Sequence, residues 1–290
     1  MKDRTTALIA GVIFLLCPRL VFAQDRTPAI GPVAQVYATI ASVALKAYVF
    51  RPNQAPRETP LPAVVIFHGG GLYMGEPSWS FGRAEHFAGL GMVAIAAQYR
   101  LSNQSTITPL EGMADARAVI RWMRANAATL GINPNLIAAY GSSAGAHLAV
   151  SAAIFDDSTA HEKINAAPNA LILVSPAVDL ENDKWPQKLL GSRANVSTIS
   201  PAAHVRKGLP PTLILQGDTD TVTPLAGAQL FYERMRAAGN RCELQVYSGV
   251  GHLFTPAGIR DDGWPQPDPK IQAEALKKAE EFLSSLGFIN

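Results

Sequence analysis

Unbroken apolar runs recur along this chain, each closed by turn residues: Ala63–Phe67, Met92–Ala97, Leu136–Tyr140, Ala170–Val174 and Thr212–Leu215. Runs without polar alternation suit strands covered on both faces, the situation in a parallel sheet. Between them lie helical patterns at Ser78–Leu90, Asp115–Leu130, Ala146–Ile154, Leu225–Ala238 and Lys270–Leu286. In Asp115–Leu130 the apolar Ala118, Ile120, Trp122 and Met123 alternate with arginines that can face water, and Gly131 supplies a stop. Only Val33–Tyr37 and Ala44–Phe50 alternate in the manner of antiparallel strands, after a polar arm over residues 24–32. A last strand is expected at Glu243–Tyr247. Regular exchange of strand and helix predicts one α/β domain built on a doubly wound, mostly parallel sheet. Asp179–Ala203 breaks the rhythm; its polar, irregular composition predicts a short insertion folding over the sheet edge as a lid.

Composition agrees with a packed globule: 48% of the 290 residues are hydrophobic and 17% charged. The first residues change the picture. Lys2 and Arg4 precede an uncharged apolar run, Ala7–Cys17, and Val21-Phe22-Ala23 offers a cleavage site, so residues 1–23 read as a signal peptide. The run is too short to span a bilayer comfortably, and Leu16 before Cys17 argues against a lipid anchor. The expectation is a secreted or periplasmic protein with a single α/β domain over 24–290 and no stable membrane insertion. Of the 25 basic and 23 acidic residues, Lys2, Arg4, Arg19 and Asp3 leave with the leader, and the remainder is balanced. No nucleic-acid partner is implied. Cys242 is then left alone, without an internal disulfide partner, in a strand-like run where it reads as a small buried apolar residue.

Candidate chemistry centres on Gly141-Ser142-Ser143-Ala144-Gly145, between a strand pattern and a helix pattern. Glycines two before and two after a serine at such a junction form a nucleophile elbow. The turn is tight enough to demand small flanking residues and pushes Ser143 out above the sheet. The Ala144 N–H lies at the positive start of the helix. A serine hydroxyl needs a base, and the base an orienting acid, in the chain order serine, acid, histidine. His252, in the turn after Glu243–Tyr247, is the candidate base. Asp220, in the turn after Thr212–Leu215, is the candidate acid, with Asp218 as rival or turn cap. His68 precedes Gly69-Gly70-Gly71 directly after the first buried strand. It reads as a brace for a loop whose Gly70 and Gly71 N–H groups join that of Ala144 as oxyanion donors. His147 reads as a packed or hydrogen-bonded histidine on the elbow helix; His86, His161 and His204 occur singly. None has metal-ligand spacing, so neither metal nor other cofactor is expected.

These elements together resemble the α/β-hydrolase superfamily from about Tyr37 onward, and within it the acetyl esterase/lipase group with an HGGG oxyanion motif. The resemblance rests on His68–Gly71, Tyr99-Arg100-Leu101, Asp115 with Trp122 and Asn126, Gly141–Gly145, Gly217–Asp220 with Pro224, and Gly251-His252. Thr221 after Asp220, and the absence of room for a helical cap in residues 24–60, favour its feruloyl- or acetyl-esterase-like branch over the capped hormone-sensitive-lipase-like one. The resemblance implies a serine carboxylesterase that forms an acyl-enzyme. The polar insertion, with Glu181, Asp183, Lys184, Lys188 and Arg193, predicts short acyl groups on a small-molecule or carbohydrate-linked ester. Trp79, Trp185 and Trp264 read either as sugar or aryl platforms or as lid contacts. A prolyl-oligopeptidase-type peptidase lacks its propeller-sized domain here. A non-catalytic binding protein on the same fold would be expected to have lost a member of the triad.

Overall fold

The computed structural model describes residues 29–53, 59–103, 106–155, 164–181 and 184–290. The leader, His161 and the Trp185 side chain lie outside that description. Eight strands make one sheet: β1 Ala29–Ile40, β2 Val43–Pro52, β3 Leu61–Phe67, β4 Val93–Ala97, β5 Ile132–Ser142, β6 Ala170–Val174, β7 Thr212–Gly217 and β8 Cys242–Tyr247. Their spatial order is β1-β2-β4-β3-β5-β6-β7-β8. The β1/β2 and β2/β4 pairs are antiparallel, and every later pair is parallel. The helices are α1 Phe81–Gly89, α2 Pro109–Ala125, the single turn α3 Ala127–Leu130, α4 Ala144–Ile154, α5 Lys184–Leu190, α6 Leu225–Ala237 and α7 Pro269–Ser285.

The apolar runs are unbroken because successive side chains enter two different cores. Val65, Ala139, Leu173 and Ile214 join a cluster with residues of α2, α4 and α6. Their neighbours Val64, Ile66, Ala138, Ile172 and Leu213 join a second cluster with Ala84 and Phe87 of α1 and Ala279 and Phe282 of α7. A residue on either face is therefore removed from water, worth about 1.5–3 kcal/mol for each large aliphatic side chain. Cys242 is part of the first cluster, and burial pushes its thiol pKa up to about 12.

Several boundaries differ from the sequence expectation. β1 starts at Ala29, because its pairing with β2 extends to Ala29 opposite Pro52. α2 starts at Pro109, not Asp115. Thr108 accepts from the Leu110 N–H, and Glu111 accepts from the Thr108 N–H at 2.7 Å, closing a capping box ahead of the expected start. Asp115 is instead a buried mid-helix carboxylate that receives the Arg100 guanidinium at 2.6 Å and its N–H at 2.8 Å. The insertion is less polar in effect than in composition. Leu180, Leu190, Ile199 and Ala202 are buried in the first core, and Arg193 reaches Glu111 of α2 at 2.6 Å. It packs onto the helical layer and sends Lys188 and Leu189 to the functional cleft. Among the described residues no helix is long and apolar enough to cross a membrane.

Parallel register levels the strand ends. Phe67 lies beside Gly141, Ser142 beside Val174, Val174 beside Leu215 and Gly217 beside Tyr247. The turns after β3, β5, β6, β7 and β8 consequently meet at one edge, where open α/β sheets collect ligands.

Candidate active site

The turn from β5 into α4 holds Ser143 at φ 54° and ψ −122°. A non-glycine residue there costs of order 1–3 kcal/mol unless its surroundings enforce it. The enforcement is visible on both sides. A Cβ on Gly141 would stand 2.2 Å from the Gly145 carbonyl oxygen, and one on Gly145 would stand 2.1 Å from the Phe67 oxygen. The Ser143 N–H donates to the Val174 oxygen at 2.8 Å, pinning the elbow to β6.

Three sequence candidates converge on this hydroxyl. His252 Nε2 lies 2.9 Å from Ser143 Oγ, and His252 Nδ1 lies 3.0 Å from Oδ2 and 3.2 Å from Oδ1 of Asp220. With the Nδ1 proton facing the carboxylate, Nε2 is left to accept from the serine. All three residues are buried. Asp220 is itself fixed: its Oδ1 accepts the N–H groups of Val222 at 2.9 Å and Thr223 at 2.7 Å, and its Oδ2 accepts from Gln216 at 3.0 Å and from the Thr223 hydroxyl at 2.9 Å. Asp218 is exposed and takes the other role, accepting from the Ser248 hydroxyl and the Gly249 N–H, each at 2.8 Å. It caps the β8 turn and does not reach His252.

The β3 turn brings up the glycines. His68 Nδ1 lies 2.7 Å from the Gly69 oxygen, and its ring stacks on Tyr99 at 4.4 Å while Tyr99 donates to the His68 carbonyl at 2.8 Å. Burial lowers the His68 pKa, keeping this brace neutral near pH 7. Gly70 has φ 112°, and a Cβ there would lie 2.2 Å from the Met74 oxygen. Among the described residues the N–H groups of Gly70, Gly71 and Ala144 meet no protein acceptor, as oxyanion donors require. Gly70 and Gly71 share a cleft of about 1300 Å³ with Ser143 and His252, and Trp79 and Trp264 meet edge-to-face at 5.1 Å in its wall.

Two supporting residues escape sequence reading. Asp261 is buried, and its Oδ2 accepts the N–H groups of both His252 and Thr221 at 3.0 Å, while its Oδ1 accepts from the Thr221 hydroxyl at 2.5 Å. One carboxylate thus ties the base-bearing turn to the acid-bearing turn. Burial opposes its ionisation, but these hydrogen bonds outweigh burial and hold its pKa below the usual carboxylate range. Arg260-Asp261-Asp262-Gly263 reads as an ordinary polar loop. The one signal is Gly251, where a Cβ would stand 2.5 Å from Asp261 Oδ2. Ser175, at φ 43° just beyond β6, accepts the Leu253 N–H on its hydroxyl at 3.0 Å and steadies the same turn. The other described histidines stand apart from this chemistry. His147 is fully buried on α4 with its pKa lowered to about 4 by burial, His86 pairs with Glu280 at 2.7 Å, and His204 Nε2 lies 2.8 Å from the Ser197 oxygen.

A strand-to-helix elbow, a following acid and histidine from adjacent strands, and this sheet order define an α/β-hydrolase. Comparison with known proteins places the chain more closely: it belongs to the BD-FAE family, whose model matches residues 49–235. A solved structure described as Thermogutta terrifontis esterase 2 phosphoramylated by tabun is similar, with 36% identity, a TM-score of 0.78, and coverage of 91% of this chain and 97% of that one. The propionate-bound form of that thermophilic esterase matches at 35% identity and a TM-score of 0.77, over 92% and 97%. Esterase LipC of Mycobacterium tuberculosis is 25% identical over 72% of this chain and 54% of its own length. The chain thus spans about half the length of that curated relative.

Proposed function

We propose that this protein is a serine carboxylesterase acting on short-chain acyl esters. The observation that carries the reading is His252, with one ring nitrogen 2.9 Å from the Ser143 hydroxyl and the other 3.0 Å from Asp220. Ser143 attacks the ester carbonyl as His252 takes its proton. Asp220 holds the tautomer and stabilises the imidazolium. The N–H groups of Gly70, Gly71 and Ala144 receive the oxyanion, each worth about 3 kcal/mol of transition-state stabilisation. His252 returns the proton to the departing alcohol, and water clears the acyl-enzyme by the reverse route. The HGGG-type assignment of the His68–Gly71 turn, and the feruloyl- or acetyl-esterase-like branch, belong to the same reading. The leader-like residues 1–23 would deliver the enzyme to the periplasm or the medium.

Acyl length follows from the walls. Among the described residues of the insertion, Lys188 and Leu189 line the cleft, and one of the two is charged. A bound propionate is described for the similar Thermogutta esterase. The cleft is nevertheless far larger than a butyryl group, so its volume serves the alcohol side, with the edge-to-face pair Trp79 and Trp264 as an angled apolar wall for a sugar or aryl group. Each methylene is worth about 0.8 kcal/mol only where an apolar wall receives it. Across p-nitrophenyl esters, kcat/KM is therefore highest from acetyl to butyryl and falls beyond about six carbons. Fastest hydrolysis at ten or more carbons, or activation at an oil–water interface, contradicts the reading.

A further inference from the structure

Behind the nucleophile the cleft runs between α1 and α7, past the end of β5, and there it holds a cation that the triad does not use. Arg83 of α1 lines the wall, half-buried, with its guanidinium carbon 5.3 Å from the centre of the Tyr140 ring. That ring contact is its one partner among the described residues; none of its N–H donors meets an acceptor. Tyr140 is 5% exposed, lines the same cleft, and its hydroxyl likewise meets no protein partner there. A guanidinium carries donors in a planar fork suited to a carboxylate, and the ring face holds it in place. Three acids in or beside the cleft are engaged elsewhere. Asp261 accepts from Thr221 and the His252 backbone, Asp262 pairs with Arg260, and Glu280 pairs with His86. Lys188 adds a second cation to the wall, and no carboxylate partner for it occurs among the described residues.

We propose that Arg83 and the Tyr140 hydroxyl form a recognition site for a carboxylate, or an anion of like geometry, carried on the alcohol portion of the ester. The proposal rests on the esterase reading for its placement of the acyl group. Tyr140 on β5 is three residues before Ser143, so their backbones stand about 10 Å apart along the strand direction. An acetate ester of an alcohol bearing a carboxylate that far from the ester oxygen reaches both at once. Arg83 acts here as a specificity-determining residue; it touches no reacting atom.

The test compares 8-acetoxyoctanoate with its neutral amide, 8-acetoxyoctanamide, by acetate release. The readout is the ratio of kcat/KM within each protein, which does not depend on absolute rate. A charge-assisted hydrogen bond to the carboxylate favours the anion by about tenfold or more in the native enzyme. Arg83→Gln brings the ratio close to unity, Arg83→Lys keeps part of it, and Tyr140→Phe lowers it by a smaller factor. Equal rates on the two esters in the native enzyme, or a ratio unmoved by Arg83→Gln, overturn the site. Octanedioate binding, followed by calorimetry, separates this from the esterase reading because the diacid cannot be hydrolysed. Binding weakened about tenfold or more by Arg83→Gln supports the site even if no acetate ester is cleaved, an outcome that would sink the esterase reading alone. Absence of octanedioate binding to the native protein overturns the site whatever the esterase result.

Discussion

Ser143→Ala lowers ester turnover by about 10⁶ while the protein keeps its fold, on the scale seen when one member of a concerted triad is removed. The fold should survive because the elbow is enforced by backbone contacts, not by the hydroxyl. Gly141 and Gly145 supply the close approaches and the Ser143 N–H supplies the bond to β6, and all of these persist in alanine. Alanine also carries no more steric cost at φ 54° than serine does. What is lost is the hydroxyl that His252 Nε2 can deprotonate at 2.9 Å. The check is turnover of p-nitrophenyl acetate alongside a thermal melt; a folded variant retaining more than about a tenth of native turnover contradicts the assignment.

Asp220→Asn costs roughly 10⁴ in turnover, and Asp218→Asn only a small factor. An amide at position 220 can still accept the Val222 and Thr223 N–H groups through its oxygen, which turns its NH₂ group toward His252 Nδ1. The imidazole then carries its proton on Nε2, where it cannot accept from Ser143. Asp218 touches only the Ser248 hydroxyl and the Gly249 N–H at the surface, so its loss loosens a turn and leaves the tautomer unchanged. Steady-state kinetics on both variants decide the matter. A reversed order of effects would place the acid two residues earlier.

What could be read from the sequence was what is local or periodic. The buried strands declared themselves because each is apolar on both faces, and Ala170–Val174 appears with unchanged limits. Ser143 and His252 stand out because each occupies a glycine-marked turn shortly after a strand pattern. The two carboxylates at 218 and 220 could not be separated from spacing alone, since both follow β7; three-dimensional placement leaves one exposed and buries the other. Asp261 was invisible because it sits in an ordinary polar loop and joins the backbone of His252, close in sequence, to Thr221, forty residues earlier. Arg83 reads as one more helical arginine until the cleft between α1 and α7 and the face of Tyr140 are in view. The insertion misled by composition: its charged residues were counted, whereas Leu180, Leu190 and Ile199 anchor it.

The central claim is that Ser143, activated by His252, forms a covalent acyl-enzyme. It is tested most directly by treating the native protein with diisopropyl fluorophosphate and following both activity and mass. Phosphorus traps the attacking oxygen in a tetrahedral adduct that resembles the acyl-transfer transition state. The account predicts a single adduct, mapped by peptide mass spectrometry to Ser143, appearing at the rate at which esterase activity is lost and absent from Ser143→Ala. Activity that disappears with the adduct on another residue, or that persists after Ser143 is fully modified, would contradict it.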